Sequence, residues 1–382
     1  MLKRAIELEI QKHLKSKINK ILFIWGPRRS GKTTLLRKIS KERKVPIFDF
    51  DLISDREKFL PRKEVLEKLT SEHKIILIDE IQNYPESTLG LKILHDHFHV
   101  KIIATGSSEL RKKSQDFDSL VGRYIETYCL PLSIGEIKNN TKLKAYEESS
   151  FLQSLSSQVQ IYGSYPEIYT SKSQAMKVET LEYMFDAYVL KDIITIYELK
   201  NAKLAKDILT KIALQIGSEV SLREIASSLS ANVQTVTSYI EIFSKNYILI
   251  ALPAFRTNLR RAVSANRKLF FYDLGIRNVL VKDFRDLDLR PDKGGVFENF
   301  IVAEMEKAKK NHKLKFNAYF YREFGGKEVD IVLEDYKKNY YCLEIKYSKG
   351  LVKSVFPIKH KLEILNSENY FARIKKIAKN YG

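Results

Sequence analysis

From the start of the chain to Leu132, short apolar runs alternate with amphipathic stretches. Residues Ile6 to Lys17 space their apolar positions at helical intervals among many charges, which predicts an amphipathic helix on a domain edge. Ile21-Leu-Phe-Ile-Trp25 is a continuous apolar run, the pattern of a parallel strand buried on both faces. A Gly-rich turn follows it, and then a helical segment from Thr33 to Ser40. Further strands are expected at Pro46–Asp51, at Lys74–Ile78 running into Asp79-Glu80, and at Val100–Ala104 running into Thr105-Gly106-Ser107-Ser108. Strands alternating with helices predict an α/β fold with a doubly wound parallel sheet, its ligand at the carboxyl ends of the strands.

After Leu130-Pro131-Leu132 the pattern changes. Residues 133 to about 201 read as mostly helical, punctuated by a Gly163-Ser-Tyr-Pro166 turn. Between Ser218 and Ala254 a short helix, a turn, a second helix and a strand are expected. Leu222, Ile225, Ala226, Leu229, Val233, Val236 and Ile240 carry the spacing of a helix-turn-helix core. The strand Tyr247–Leu252 and the segment Arg267–Tyr272 would form a wing, with Arg256, Arg260, Arg261, Arg267 and Lys268 near it for phosphate contacts. The second helix, however, offers Gln234, Thr235, Thr237 and Ser238 and no arginine near its start. A helix at Phe297–Lys309 then precedes strands at Glu328–Leu333 and Tyr340–Lys346. The expected domains are therefore 1–132, 133–290 with a winged helix at about 205–273, and 291–382.

Composition narrows the class. Apolar residues at 44% and aromatics at 11% are those of a folded chain rather than a disordered one. Lysine and arginine (66) exceed aspartate and glutamate (47), giving a net charge of +19, which favours polyanionic partners or reflects lysine used as a solubiliser. Cys129 and Cys342 are far apart and lie in no CxxC pattern, which excludes a disulfide framework and a zinc ribbon and suits a reducing compartment. Met1 to Lys20 is charged throughout, unlike a secretory signal, and no apolar run approaches a membrane span. The expectation is a cytoplasmic protein that does not engage a membrane.

Candidate chemistry is densest at the first strand. Gly26-Pro-Arg-Arg-Ser-Gly31-Lys32-Thr33 fits G-x-x-x-x-G-K-[ST] between a strand and a helix, the phosphate-cradling P-loop. Glycines let successive N–H groups face one anion, and the helix N-terminus adds its positive end. The expected nucleotide-binding residues are Gly26, Pro27, Arg28, Arg29, Ser30, Gly31, Lys32, Thr33 and Thr34, with Arg28 and Arg29 either adding charge at the phosphates or forming loop surface. Lys32 would reach the terminal phosphates of ATP, and Thr33 would place its hydroxyl on Mg²⁺. Asp79, delivered by the strand before it, would take the same magnesium, and Glu80 would orient the attacking water. Arg123, after Gly122, is either an arginine finger, in cis or from a neighbouring subunit, or a structural salt bridge.

These residues bring a family into view. Gly26 to Leu36, Ile78-Asp-Glu-Ile-Gln82, Ala104-Thr-Gly-Ser-Ser108, Val121-Gly-Arg-Tyr124 and Leu130-Pro-Leu-Ser133 resemble the AAA+-like ATPases of archaea and bacteria whose C-terminal domain is similar to the PD-(D/E)xK nuclease fold. Gly163–Glu167, Leu190–Asp192, Phe271–Asp273 and Phe297–Asn299 look like further landmarks of that family. The resemblance implies an ATPase in which Ser107, or Ser108 beside it, senses the γ-phosphate.

The C-terminal strands carry a second constellation. Glu344 and Lys346 are two apart on a strand and share a face, and a hairpin would bring Asp330 to it. Asp330 and Glu344, with Glu298 as a third carboxylate, would hold a second Mg²⁺ or a Mn²⁺, and Lys346 would stabilise charge on a phosphate oxygen. The competing reading is a set of solvated cross-strand pairs, and Val329 stands where the motif's name has proline. Two functions stay open: an ATPase coupled to nucleic-acid binding or metal-dependent cleavage, and a regulatory or scaffold ATPase whose winged helix and inactive nuclease-like domain bind a protein partner. Homo-oligomerisation is compatible with either.

Overall fold

The computed structural model describes residues 2–107, 119–187, 193–194, 199, 201–256, 267–323, 326–348, 350 and 352–382. Ser108, the Leu190–Asp192 landmark, Arg260 and Arg261 lie outside the described residues. The chain divides into two compact units, one made by Lys3–Leu130 with Lys245–Tyr247 and the other by Pro131–Ser244 with Ile248–Gly382.

In the first unit, strands β1 (Ile21–Trp25), β2 (Ile47–Asp49), β3 (Ile75–Asp79), β4 (Lys101–Gly106) and β5 (Tyr124–Tyr128) form a parallel sheet in the order β2-β3-β4-β1-β5. All five side chains of β1 are buried, as its unbroken apolar run requires of a strand covered on both faces. Leu35, Leu36 and Ile39 of the helix Lys32–Arg43 pack with Leu22, Ile24, Leu77 and Ile103 of the sheet. The carboxyl ends of β1, β3 and β4 therefore lie side by side on one edge.

The second unit holds two sheets. The helix Ala202–Leu214, strand β6 (Glu219–Val220), helices Leu222–Ser228 and Val233–Lys245, and strands β7 (Leu249–Pro253) and β8 (Arg267–Phe271) follow one another. The strands form an antiparallel sheet in the order β6-β8-β7. Ile208, Ile212, Ile225, Val236, Ile240 and Phe243 meet in the core beneath it, so the predicted helix-turn-helix spacing is a packed face except at Val233, which is exposed.

The C-terminal part carries a sheet in the order β12-β11-β10-β9: β9 (Asn317–Arg322), β10 (Glu328–Glu334), β11 (Tyr340–Ile345) and β12 (His360–Leu365). Against it lie the helices Lys293–His312 and Tyr370–Tyr381.

Three sequence landmarks turn out to be joints of this unit. Asp273 caps the helix Leu274–Val281 through the amides of Gly275 (2.9 Å) and Ile276 (3.4 Å) and accepts a third bond from Ser164 N (2.7 Å). Gly163, at φ 75°, is obligatory there, since a Cβ would lie 1.9 Å from Asp273 Oδ1. The buried Asn299 side chain bonds both Phe271 N (2.7 Å) and Phe271 O (2.8 Å), satisfying backbone groups of β8. Among the described residues no helix is long and apolar enough to cross a membrane.

Candidate functional site

Between β1 and its following helix the chain turns through Gly26–Gly31. Gly26 passes so close to β5 that a Cβ would sit 2.0 Å from the carbonyl oxygen of Cys129. Gly31 has φ 103° and caps the helix Lys32–Arg43, whose free N–H groups open toward the loop. Arg29 also has positive φ, at 61°. Pro27 and Ser30 are buried, Arg28, Arg29 and Thr33 are half-buried, and Thr34 is exposed.

Lys32 folds back over this loop, donating to Gly26 O (2.9 Å) and Pro27 O (2.8 Å). Burial lowers its pKa, an effect opposed by the nearby Glu80, Cys129 and Asp79. A buried ammonium held by neutral carbonyls is under-compensated, and a phosphate entering the loop would supply the missing negative charge.

At the end of β3, Asp79 is buried, and its Oδ1 accepts from the hydroxyl of Thr105 on β4 and from Glu80 N (3.1 Å). Its Oδ2 carries no hydrogen bond among the described residues. A hard-oxygen set of Thr33 hydroxyl and Asp79 carboxylate, beside a loop shaped for phosphate, fits magnesium carried in with a nucleotide. Those two side chains would hold the ion, which would neutralise charge on the phosphates.

Glu80 sits in the left-handed region, φ 51°, and its carboxylate accepts from Gln82 Nε2. The other end of the same amide, Gln82 Oε1, accepts from Ser107 N (3.2 Å). One glutamine thus joins the Glu80 carboxylate to the end of β4, where Ser107 is buried. Sequence reasoning passed over Gln82, Thr105 and Arg4. Arg4 donates to Ser30 O (2.7 Å) and Leu130 O (2.5 Å) and so ties the P-loop to the end of β5. The signal for Gln82 was its place two residues after Glu80, at the end of the Ile78–Gln82 motif; for Arg4 there was none.

Arg123 lies elsewhere. Tyr124 pairs with Ile21, so Arg123 stands at the amino edge of the sheet, whereas the P-loop leaves from Trp25 at the carboxyl edge. Four rises of a strand, roughly 13 Å, separate the two ends. Its guanidinium grips Asp96 at 2.8 and 2.9 Å, and this pairing holds the Asp96 carboxyl well below the usual carboxylate range. Of the readings the sequence left open, the arginine finger in cis is not met by this geometry, and the salt bridge is present.

In the second unit, β10 and β11 pair antiparallel with Ile331 opposite Leu343, a register that carries Asp330 opposite Glu344. Asp330 accepts from Ile345 N (2.7 Å), and burial raises its pKa. Glu344 is buried, with Oε1 lacking any hydrogen bond and Oε2 3.8 Å from the ammonium of the half-exposed Lys346. Burial and the neighbouring Asp330 push its pKa up to about 7. Glu298 is likewise raised to about 7 by burial, against the pull of Lys268. Val329 is wholly buried beside Val332, Cys342 and Phe356, a core position rather than a loop.

The predicted residues Glu298, Asp330, Glu344 and Lys346 thus belong to one cluster of interacting charges, but a lysine the sequence had assigned to the wing stands in it. Lys268 is fully buried and donates to Glu298 Oε1 (2.9 Å) and Glu328 Oε1 (3.0 Å). Among the described residues no group of three or more His, Cys, Asp or Glu side chains is gathered to hold a metal ion. A second Mg²⁺ or Mn²⁺ site at these carboxylates is therefore not shown.

Residues 18–138 match the family model described as an AAA domain, and residues 153–289 and 293–379 match two domains of unknown function, DUF8612 and DUF4143. An uncharacterized protein of Methanocaldococcus jannaschii is 26% identical over 306 residues, covering 76% of this chain and 67% of that one. An uncharacterized protein of Haemophilus influenzae is 25% identical over 277 residues, 67% of this chain and 68% of that one. Among solved structures, the Aeropyrum pernix ORC1 protein in complex with DNA aligns with TM-score 0.31 and 14% identity, over 74% of this chain and 93% of that one. AMPPCP-bound DnaA from Aquifex aeolicus aligns with TM-score 0.30 and 18% identity, over 62% and 86%. At these scores neither alignment adds to what the strand order says. The AAA-domain match, the parallel sheet and the P-loop together support an AAA+ P-loop ATPase.

Proposed function

We propose that this protein is a nucleotide-driven switch that binds ATP with magnesium at the P-loop, hydrolyses it, and couples that cycle to nucleic-acid binding by its second unit. The ATPase half rests on one observation: the buried, under-compensated Lys32 faces the same strand edge as Asp79 and Glu80. In this reading Lys32 turns from the carbonyls of Gly26 and Pro27 to the phosphates. Gln82 yields Glu80 to the attacking water, and Ser107 and Thr105 keep the ends of β3 and β4 in register.

The nucleic-acid half draws on two features. The order helix, strand, two helices, two strands between Ala202 and Phe271 is that of a winged helix. A separate groove of about 1030 Å³ is lined by Lys313, Lys315, Lys338, Lys359 and Lys361, with Tyr336 exposed beside them and Asp335 its one acidic residue. Clustered ammonium groups with an open aromatic face suit a single-stranded phosphate backbone and its bases. A scaffold that binds a protein instead is favoured by the second helix of the pair, whose exposed Gln234 and Ser238 carry no charge.

One set of measurements tests both halves. ATP binding and hydrolysis would be followed in the wild type and in Glu80→Gln, together with binding of labelled single-stranded DNA, duplex DNA and RNA across a salt series. The expected result is that Glu80→Gln retains bound ATP without turning it over, and that wild-type nucleic-acid binding weakens steeply with salt. Turnover unchanged in Glu80→Gln would overturn the site assignment. No nucleic-acid binding at low salt would leave the scaffold reading.

A further inference from the structure

We infer that the ammonium of Lys268 is the resident cation of the C-terminal carboxylate pocket, occupying the centre between its acids so that the pocket takes no divalent metal. The inference is independent of the ATPase reading.

Lys268 belongs to β8, the middle strand of the three-stranded sheet, yet its side chain leaves that sheet for the pocket of the other. There it bonds Glu298 on the helix Lys293–His312 and Glu328 on β10, with the ring of Phe320 beneath it, its centroid 5.9 Å away. Two carboxylate oxygens within 3.0 Å of the fully buried ammonium offset its desolvation.

A divalent ion would have to complete its shell from what is left. Magnesium demands a near-octahedral shell and, beyond its waters, one or two free carboxylates to hold it, and calcium takes more oxygen ligands still. Glu298 and Glu328 already face Lys268, one oxygen of Asp330 is taken by Ile345 N, and Glu344 is left with a buried oxygen, Oε1, that has no hydrogen bond. Arg322 takes a further share of Glu328, at 2.9 Å. An ion entering beside a buried ammonium would also meet like-charge repulsion that no solvent screens.

Nor is Lys268 free to swing aside. Asn299 clamps its strand at Phe271, and Arg322 spans Glu328 and Glu219 (3.2 Å), so the ionic chain runs Glu219–Arg322–Glu328–Lys268–Glu298 across both sheets. Phe255 N also bonds Phe320 O (2.7 Å), joining the segment after β7 to β9. Even the wall is shaped to the pair: Gly217, at φ 78°, leaves room where a Cβ would come within 3.0 Å of Glu298 Oε2. The cluster is an ion-paired joint between the two sheets, with Lys268 where a metal would need to sit.

The test is Mn²⁺ binding, read from the electron paramagnetic resonance signal of the free ion, with no nucleotide present. Wild type, Lys268→Arg, Lys268→Met, Asp330→Asn and the Lys268→Met/Asp330→Asn pair would be compared. Wild type and Lys268→Arg are expected to bind no Mn²⁺ that Asp330→Asn removes. Lys268→Met is expected to gain one site at least about tenfold tighter than any in the wild type, a site lost again in the pair. A wild-type site abolished by Asp330→Asn would overturn the inference, as would a folded Lys268→Met that gains none. Should Lys268→Met not fold, wild type against Asp330→Asn still decides.

Discussion

The two pockets each hold a buried lysine, and the lysines are shifted in opposite directions. Lys32 rests on two peptide carbonyls and has its pKa lowered; Lys268 rests on two carboxylates and has its pKa raised. The first is a charge waiting for a partner, held where a helix N-terminus and glycine-shaped turn also call for an anion. The second already has its partners, and Glu298 and Glu328, the acids it bonds, have theirs in it. A binding site stores an electrostatic deficit, whereas a joint has none to offer. Both lysines look alike in a list of buried residues; their first neighbours separate a ligand site from a structural one.

That contrast can be broken at several points. The largest effect is expected at Lys268→Met, which leaves Glu298 without its cation and Glu328 with Arg322 alone, and should cost about 3–5 kcal/mol in urea unfolding. Lys268→Arg should recover most of it. A small loss in the methionine variant would mean that Lys268 is not what compensates these acids. Lys32→Ala should do the reverse: ATP turnover falls about a hundredfold or more, while stability without nucleotide stays level or rises, because a poorly compensated charge has been removed. A marked loss of apo stability would show that Lys32 is a joint after all.

Gln82→Ala tests the link between Glu80 and Ser107 and should lower turnover by about tenfold with little change in ATP affinity. If affinity falls and turnover does not, Gln82 shapes the loop rather than the reaction. Glu344 supplies a pH-dependent test. Its folded-state pKa of about 7 lies above the ordinary 4.5, so the folded chain holds a proton that the unfolded chain releases between those values. The stability this group contributes is present below pH 4.5 and is lost as pH rises through 7. Glu344→Gln should remove a difference on the order of 1–3 kcal/mol between pH 5 and pH 8. An identical pH profile in wild type and variant would place the proton elsewhere. The smallest effect is expected at Arg123→Ala, which breaks an exposed pair with Asp96 and should leave turnover of the single chain unchanged. A loss of turnover that appears only as protein concentration rises would instead identify Arg123 as a finger lent to a neighbouring copy.

Much of the first unit was legible along the chain because its signals are local. Ile21–Trp25 and Ile75–Ile78 are apolar runs of strand length, and Gly31, Lys32 and Thr33 sit at the turn after the first of them. A parallel sheet then forces the ends of β1, β3 and β4 onto one edge, so order along the sequence translates into proximity. The helix-turn-helix spacing and the Asp330–Glu344 hairpin were legible for the same reason, since each is set by neighbours within about twenty residues.

Contacts between distant segments were not legible. No periodicity places Lys268 beside Glu298 and Glu328, thirty and sixty residues on, or Arg4 beneath Ser30, twenty-six residues on, and Leu130, one hundred and twenty-six on. Arg123 illustrates the converse: a conspicuous Gly-Arg pair whose strand register puts it at the wrong edge of the sheet for its own P-loop. The sequence by itself determined which segments become strands and helices and which residues a P-loop turn would carry, because backbone geometry and side-chain periodicity act over a few residues. Only the tertiary structure decided which charges meet, because a buried ion is stable or reactive according to whatever the fold brings within about 3 Å of it.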